Sequence, residues 1–575
     1  MSIFSKVPKH RPRRNVFNLS YPNQFSMKTG LLYPLYMEET CPGDIFHAGT
    51  GVVIRSQPTL APLFTNYRAE VRYFYIPNRL VWDGFKEFMM HQQENVKGIV
   101  DPKRVHPFIA VDPLQDVYIR TGSLADFLGV PEHCREPFNA LPFRAYNLVW
   151  NEYFRDQNLQ DSLDVVMTDG EDDITLYELR RVNWKKDYFT SALPWTQRGR
   201  DVDLSTLVKL RDFGDIERDG FDFQYVKTRN GANDDFANAI WFRNSNAASV
   251  LPGGLRVLGK NQVGQGHDSS GNSSGAGPNI LSYTAMYDAS NLDNNNTRAL
   301  SAYIDPAGTL GVDINIRDLR FASAVQKFLE KEAQVGGGRY ADWIRGVYGV
   351  NIGDATLQRP LYLGGGSQDI NISPVEQTSS TNEVSPQGTL AGKGYMSSLY
   401  KMNRPTLLAE HGWVIGVLYI RPRPLYYRGL NRHLSKESRF DYLIPGFQHL
   451  GEQEILNKEV YPLTFDVSAS AADKLAVHQA NNETWGYTSR QAEYKSHSGE
   501  IHGEVKTNLH QYVVARDFAD HIEVTPPLNS SFVTCDPDED TVFAVSPSNA
   551  DSWIVDGYNV CQVQRDLDKF PSYGL

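Results

Sequence analysis

A mainly β fold, a sandwich or barrel of antiparallel strands, is what this 575-residue sequence predicts. Three observations lead there. Several stretches alternate in polarity with period two, as half-buried strands do. Aromatic residues form 12% of the chain, with 30 Tyr and 28 Phe, types that suit pleated, half-buried positions. The alternating stretches are bounded by Pro- and Gly-rich turns and lie hundreds of residues apart, so sheets must be assembled from distant segments with long insertions between.

In chain order, the first 37 residues read as a basic N-terminal arm. Lys6, Lys9, Arg11, Arg13, Arg14 and Lys28 are not balanced by any acid before Glu38, and Pro8 and Pro12 discourage a helix. Either this is a solvated terminus, or it neutralises phosphates by releasing counterions. The rest, residues 38–575, reads as one domain. "AEVRYFYIPNRLVW" (Ala69 to Trp82) places Val71, Tyr73 and Tyr75 on one face and Arg72, Phe74 and Ile76 on the other. "PFRAYNLVWNEYFRDQ" (Pro142 to Gln157) predicts a helix with proline in its first turn and a packing stripe of Tyr146, Val149, Trp150 and Tyr153. From about 228 to 301 the texture turns to Gly, Ser and Asn, which bury little apolar area; this is a polar surface insert, too long for a connector.

A second helix is expected over Asp318 to Gln334, with Ala322, Val325, Phe328 and Leu329 at helical spacing. It runs into Gly336, Gly337, Gly338 and Arg339, read as a helix terminus. Pro374 to Gly394 reads as another polar loop. "GWVIGVLYIRPRPLYY" (Gly412 to Tyr427) is apolar on both faces, as a central sandwich strand would be, and "GEVKTNLHQYVVARDF" (Gly503 to Phe518) reads as a further strand.

Motifs for chemistry fail in turn. "AGKG" at Ala391 to Gly394 lacks the leading glycine and the Ser or Thr of a phosphate loop, and "GGGR" follows a helix where an anion site needs a strand before it. Glu500, His502 and Glu504 lie on one side of an expected strand and could ligate a metal, but solvated strand residues are commoner. "DPDED" (Asp536 to Asp540) lacks the glycine and distal glutamate of a calcium loop. Neither GxSxG nor HExxH occurs. The expectation is therefore a protein with no catalytic residues, no metal and no cofactor. Four separated cysteines, Cys41, Cys134, Cys535 and Cys561, include no CxxC pair and suggest no disulfide framework. Without an apolar run of membrane-spanning length or a signal peptide, no membrane insertion is expected, and the product should stay in the cytoplasm where it is made. The net charge of −11 makes the body acidic and concentrates any nucleic-acid affinity in the arm.

Taken together, long blocks resemble one family. "YFYIPNRLVWDGFKEFM" (Tyr73 to Met89), "LPFRAYNLVWNEYFRDQNLQ" (Leu141 to Gln160), "QKFLEKEAQVGGGRYADWIRGVYGV" (Gln326 to Val350) and "LQRPLYLGGGSQDINISPVEQTSS" (Leu357 to Ser380) resemble the major capsid protein of the Microviridae, small tailless single-stranded-DNA phages, in its gokushovirus form. "EETCPGD" (Glu38 to Asp44) and "FPSYGL" (Phe570 to Leu575) do so too, and the blocks run from near residue 17 to the end. The resemblance implies a viral single jelly roll, an eight-stranded antiparallel β-sandwich with long loop insertions and a few helices. It further implies sixty copies in a T=1 icosahedral shell around circular single-stranded DNA, with the protein located in the virion after assembly in the bacterial host cytoplasm. Implied partners are other copies of the chain, the genome, a small basic DNA-binding protein, a pilot protein, a scaffolding protein and a host surface receptor met by the insert. The rival from another class is a carbohydrate-binding or glycan-cleaving jelly-roll protein, which needs paired carboxylates in an aromatic cleft.

Overall fold

The computed structural model describes residues 14–90, 104–197, 316–334, 339–378, 387–426, 429–447, 451–466, 468–518, 525–545 and 550–569, with four two-residue strands between 221 and 274. The chain divides into two compact units, Met1–Gly199 with Leu329–Leu575, and Arg200–Phe328. The second holds the polar insert, whose predicted surface role lies outside the described residues.

Ten strands build the main sheets: β1 (Asn15–Asn18), β2 (Tyr21–Met27), β3 (Tyr33–Thr40), β4 (Ile45–Ser56), β5 (Tyr67–Pro77), β6 (Leu361–Glu376), β7 (Leu390–Lys401), β8 (Thr406–Leu407), β9 (Gly412–Pro422) and β10 (Trp553–Arg565). β1 and β2 follow one another along β10, pairing from Asn15↔Arg565 to Met27↔Trp553. β10 pairs with β4, and β4 with β7 and then β8. In the other sheet β6 pairs with β5, β5 with β9 and β9 with β3, all antiparallel. Taking β1 with β2, and β7 with β8, as single interrupted strands leaves eight. In chain order these run first–eighth–third–sixth across one sheet and fifth–fourth–seventh–second across the other. That double Greek-key order is a jelly roll, as the resemblance implied.

β6 joins the sheets at a corner. Its residues 361–370 pair with β5 and its residues 371–376 pair with β7. Within the part paired with β5 lies a glycine bulge: the register shifts between Tyr362 and Gly364, and Gly364 and Gly365 take φ of 127° and 151°. A Cβ on Gly365 would sit 2.1 Å from the Val71 carbonyl oxygen, so only glycine fits this bulge.

The two-faced reading of Ala69 to Trp82 holds. Tyr67, Ala69, Val71, Tyr73 and Tyr75 enter the core between the sheets with Val414, Leu418 and Ile420 of β9. Phe74 and Ile76, with Ile415, Val417 and Tyr419, point the other way into a second core built from the long connection after β5. α1 (Leu141–Val149), extended by a π turn through Phe154, lies in that second core with the predicted stripe buried or half-buried. Its fully buried Arg144 grips Asp172 in a two-pronged ion pair of 2.7 and 2.6 Å and donates also to the carbonyls of Val81 and Thr168.

Other expectations are revised. Gly503 to Phe518 is not a strand: it forms two short 3₁₀ turns, Gly503–Lys506 and His510–Tyr512, and meets another segment in one isolated bridge, Arg516 with Tyr426. The expected loop from Pro374 to Gly394 is largely hairpin, with β6 reaching Glu376 and β7 starting at Leu390. α2 (Ile316–Gln334) confirms the second helix, although Phe328 on its stripe is exposed. The "GGGR" stretch also leads into a helix, α3 (Tyr340–Tyr348), with Arg339 at its N-cap position; the three glycines lie outside the described residues. Among the described residues, no helix is long and apolar enough to cross a membrane.

Candidate nucleic-acid and assembly interface

The outer face of the sheet formed by β1, β2, β10, β4 and β7 carries no described element. Period-two alternation sends Trp553, Val555, Cys561 and Val563 of β10 inward, and Ile554, Asp556, Tyr558, Val560 and Gln562 outward. Strand register lays the outward residues in rows. Tyr395, Arg55, Ile554 and Ser26 form one row, and Leu399, Gly51, Tyr558 and Pro22 another. Tyr395 is 52% exposed, Tyr558 52%, Leu399 55% and Ile554 50%, an apolar and aromatic load well beyond scattered single residues.

Between Tyr558 and Leu399, Gly51 leaves bare backbone. A Cβ there would meet nothing nearer than the Tyr558 carbonyl oxygen at 4.0 Å. With strands about 4.8 Å apart, the tyrosine and the leucine stand about 10 Å apart across this trough. The outward charges are mainly positive: Arg55, Lys393 and Lys401 are exposed, against Asp556. Exposed aromatic faces with interleaved cations are what unpaired bases and their phosphates bind.

Of the arm residues singled out, Arg14 and Lys28 are described; Lys6, Lys9, Arg11 and Arg13 lie outside the described residues. Residues 15–37 join the sheets as β1, β2 and the start of β3. The arm is thus rooted at the edge of the bare face, because β1 follows directly and pairs with β10. The sequence reading missed this face. Its signal was present: the outward positions of β10 include Ile554, Tyr558 and Val560 where a solvated face would be polar.

The other motifs settle elsewhere. "AGKG" lies within β7, where Gly392 exchanges backbone bonds with Thr59 (3.3 and 2.9 Å) and the Gly394 amide donates to Ser56 Oγ (2.6 Å), so its amides are not free to hold a phosphate. Gly499–Glu500 is a two-residue strand and His502 begins a 3₁₀ turn, 3.2 Å from Glu500; they share no continuous strand face with Glu504. Within "DPDED", Glu539 is buried and accepts from Thr29 (2.6 Å), Tyr67 (2.8 Å) and Ser552 (3.0 Å), while Asp536 pairs with Arg181 (2.8 Å). Among the described residues, no group of three His, Cys, Asp or Glu is placed to hold a metal ion. The four cysteines are free.

Comparison with known proteins agrees with the fold. The profile of a family described as capsid protein (F protein) matches residues 5–573. Capsid protein VP1 of Chlamydia phage 1 is 31% identical over 602 residues, covering 100% of this chain and 97% of that protein. Capsid protein VP1 of Bdellovibrio phage phiMH2K is 31% identical over 548 residues, covering 92% and 89%. Capsid protein VP1 of Spiroplasma virus 4 is 25% identical over 540 residues, covering 91% and 88%. These relatives are structural proteins, which removes the glycan-cleaving rival. The chain belongs to this capsid protein family, as a major capsid protein of the Microviridae type that assembles into the shell of a virion and is not an enzyme.

Proposed function

We propose that sixty copies of this chain close into a T=1 icosahedral shell around a circular single-stranded DNA genome, with the bare sheet face and the arm turned towards the DNA. The observation that carries this reading is the juxtaposition of Arg55, Lys393 and Lys401 with exposed Tyr395 and Tyr558 on a face at whose edge the arm begins. Lys6, Lys9, Arg11, Arg13 and Arg14 neutralise phosphates, while the tyrosines offer rings to unpaired bases. Contacts around the five-fold and three-fold axes are heterologous and those at the two-fold are isologous.

The insert at about 228–301 meets the host surface receptor, and the genome is shared with a small basic DNA-binding protein. A pilot protein and a scaffolding protein complete the assembly, which takes place in the bacterial host cytoplasm. Electron microscopy of particles made with and without residues 1–14 tests the DNA-facing role. Closed shells with reduced DNA content, and a shallower dependence of DNA retention on salt, are expected; full DNA content with unchanged salt dependence would remove the arm from the mechanism. Shells lacking residues 228–301 should still close but lose attachment to host cells.

A further inference from the structure

On the opposite side of the sandwich, a cavity of about 660 Å³ opens over the outer ends of β5 and β9. Its wall holds six cationic side chains: Arg72, Arg155, Lys185, Lys186, Arg339 and Arg421. Three carboxylates oppose them. Glu70 accepts from Arg72 (2.9 Å) and Arg421 (2.7 Å); burial acts to raise its pKa, but Arg421 and the hydrogen bonds from Tyr419, Arg72 and Arg421 outweigh that and push it down to about 2. Asp156 pairs with Lys186. Glu452 lies in the wall.

The wall thus carries more cations than carboxylates, with Arg155, Arg339 and Lys185 among its cations. Arg155 donates to the Gln160 carbonyl (2.7 Å) and to the side chain of Gln157, and Arg339 to the Arg155 carbonyl (3.2 Å). In both, Nε is buried with no hydrogen-bond partner among the described residues. Burial lowers the Arg339 pKa, Arg359 and Arg155 add to that, and Asp342 and Glu152 oppose it. A buried guanidinium N–H without an acceptor is costly, and both guanidinium side chains line the same polar cavity. An oxyanion in the cavity would offset the cationic excess of its wall and accept charge-assisted hydrogen bonds. The volume also lies within the range of small-molecule sites.

From this geometry we infer that the cavity is a phosphate-binding site, with Arg155 and Arg339 holding the anion and Lys185 at its mouth. The phosphate comes either from a small free phosphate compound or from a nucleic-acid strand. The inference stands apart from the DNA-facing role of the bare sheet, because the cavity lies on the other face of the sandwich. It also gives Arg339 of the "GGGR" stretch a part that neither a phosphate loop nor a bare helix stop provides.

Thermal unfolding and calorimetric titration of the purified full-length protein test it, with inorganic phosphate and ten-nucleotide oligothymidylate as probes and chloride at matched ionic strength as reference. Phosphate should raise the melting temperature saturably where chloride does not. Arg339→Gln should weaken phosphate binding at least tenfold. The exposed Lys185→Gln, which should leave the fold intact, should weaken it several-fold. If the oligonucleotide binds in competition with phosphate and responds to Lys185→Gln, the source is a strand; if phosphate alone binds, it is a small compound. A response to phosphate no larger than to chloride, or phosphate binding unaltered in Lys185→Gln and in folded Arg339→Gln, would overturn the inference.

Discussion

The two sheets of the sandwich share one core but have opposite outer faces. Behind β5 and β9, the connection after β5 folds back to bury Phe74, Ile76, Ile415, Val417 and Tyr419 under a second core. Behind β10, β4 and β7, no described element returns, and Tyr395, Leu399, Tyr558 and Ile554 are left exposed. A subunit that must be stable before assembly and sticky during it can divide the two tasks this way. Apolar surface covered within the chain stabilises the monomer; apolar surface left open contributes only once something covers it. Substitutions on the two sides should therefore differ in kind, with subunit stability responding on one side and assembly or genome content on the other.

The largest loss of subunit stability should come from the covered side. Asp172→Ala strands the fully buried Arg144 guanidinium and also removes the acceptor of the Tyr177 hydroxyl (2.6 Å). Removing one partner of a buried pair costs about 3–5 kcal/mol, read as a lower urea midpoint for the isolated subunit. Next comes the glycine bulge of β6 against β5. Gly365→Val forces a Cβ onto the Val71 carbonyl oxygen at a backbone angle suited to glycine, and should cost about 3 kcal/mol with reduced yield of folded protein. Equal stability of Gly365→Val and the parent would mean the bulge relaxes without strain.

The same contrast marks what the sequence could show. β5 was legible from its period-two alternation, and β9 from a long run that is apolar on both faces. The helix at Pro142 to Gln157 was legible from its proline and its stripe. The pairing order was not, because Trp553 meets Ser56 and Met27 across nearly the whole chain, and no local pattern encodes such a register. Gly503 to Phe518 misled for the converse reason. Its β-branched residues suit a strand, but the chain there is held by single ties, the Val514 amide to Thr65 Oγ1 (2.8 Å) and the Arg516 amide to the Leu425 carbonyl (2.9 Å). The candidate interface was half legible: the basic arm stands out in composition, whereas Tyr395, Arg55 and Tyr558 come together only through β7, β4 and β10.

A smaller, pH-dependent effect lies at the sandwich margin. Burial raises the Glu539 pKa above 4.5, against the lowering effect of bonds from Thr29, Tyr67 and Ser552. The folded state thus binds this proton more tightly than the unfolded chain. The resulting stability is fully present below the unfolded value and is lost as pH rises through the folded one. One such group contributes a slope of at most about 1.4 kcal/mol per pH unit. Glu459 and Glu38 are raised in the same direction, chiefly by burial, so the informative quantity is a difference. Glu539→Gln has no proton to release, and its unfolding free energy should fall less steeply than the parent's as pH rises above 4.5. Parallel curves would show that Glu539 is charged in both states.

On the bare face the effect on the subunit should be smallest of all. Tyr558→Ser and Leu399→Ser remove exposed side chains that no described element covers, and each should change the urea midpoint by no more than about 0.5 kcal/mol equivalent. Their consequence belongs to the particle. If the trough over Gly51 receives a base, Tyr558→Ser removes one stacking surface worth about 1–3 kcal/mol per site, and Tyr558→Phe, which keeps the ring, restores it. Particles carrying Tyr558→Ser should retain DNA less well on warming, while those carrying Tyr558→Phe match the parent. A Tyr558→Ser subunit that unfolds early would show that the face is part of the monomer's own support and would erase the contrast between the sheets. A stable subunit whose serine and phenylalanine particles retain DNA equally would leave the contrast standing and move the bases elsewhere, making this face a contact between copies of the chain.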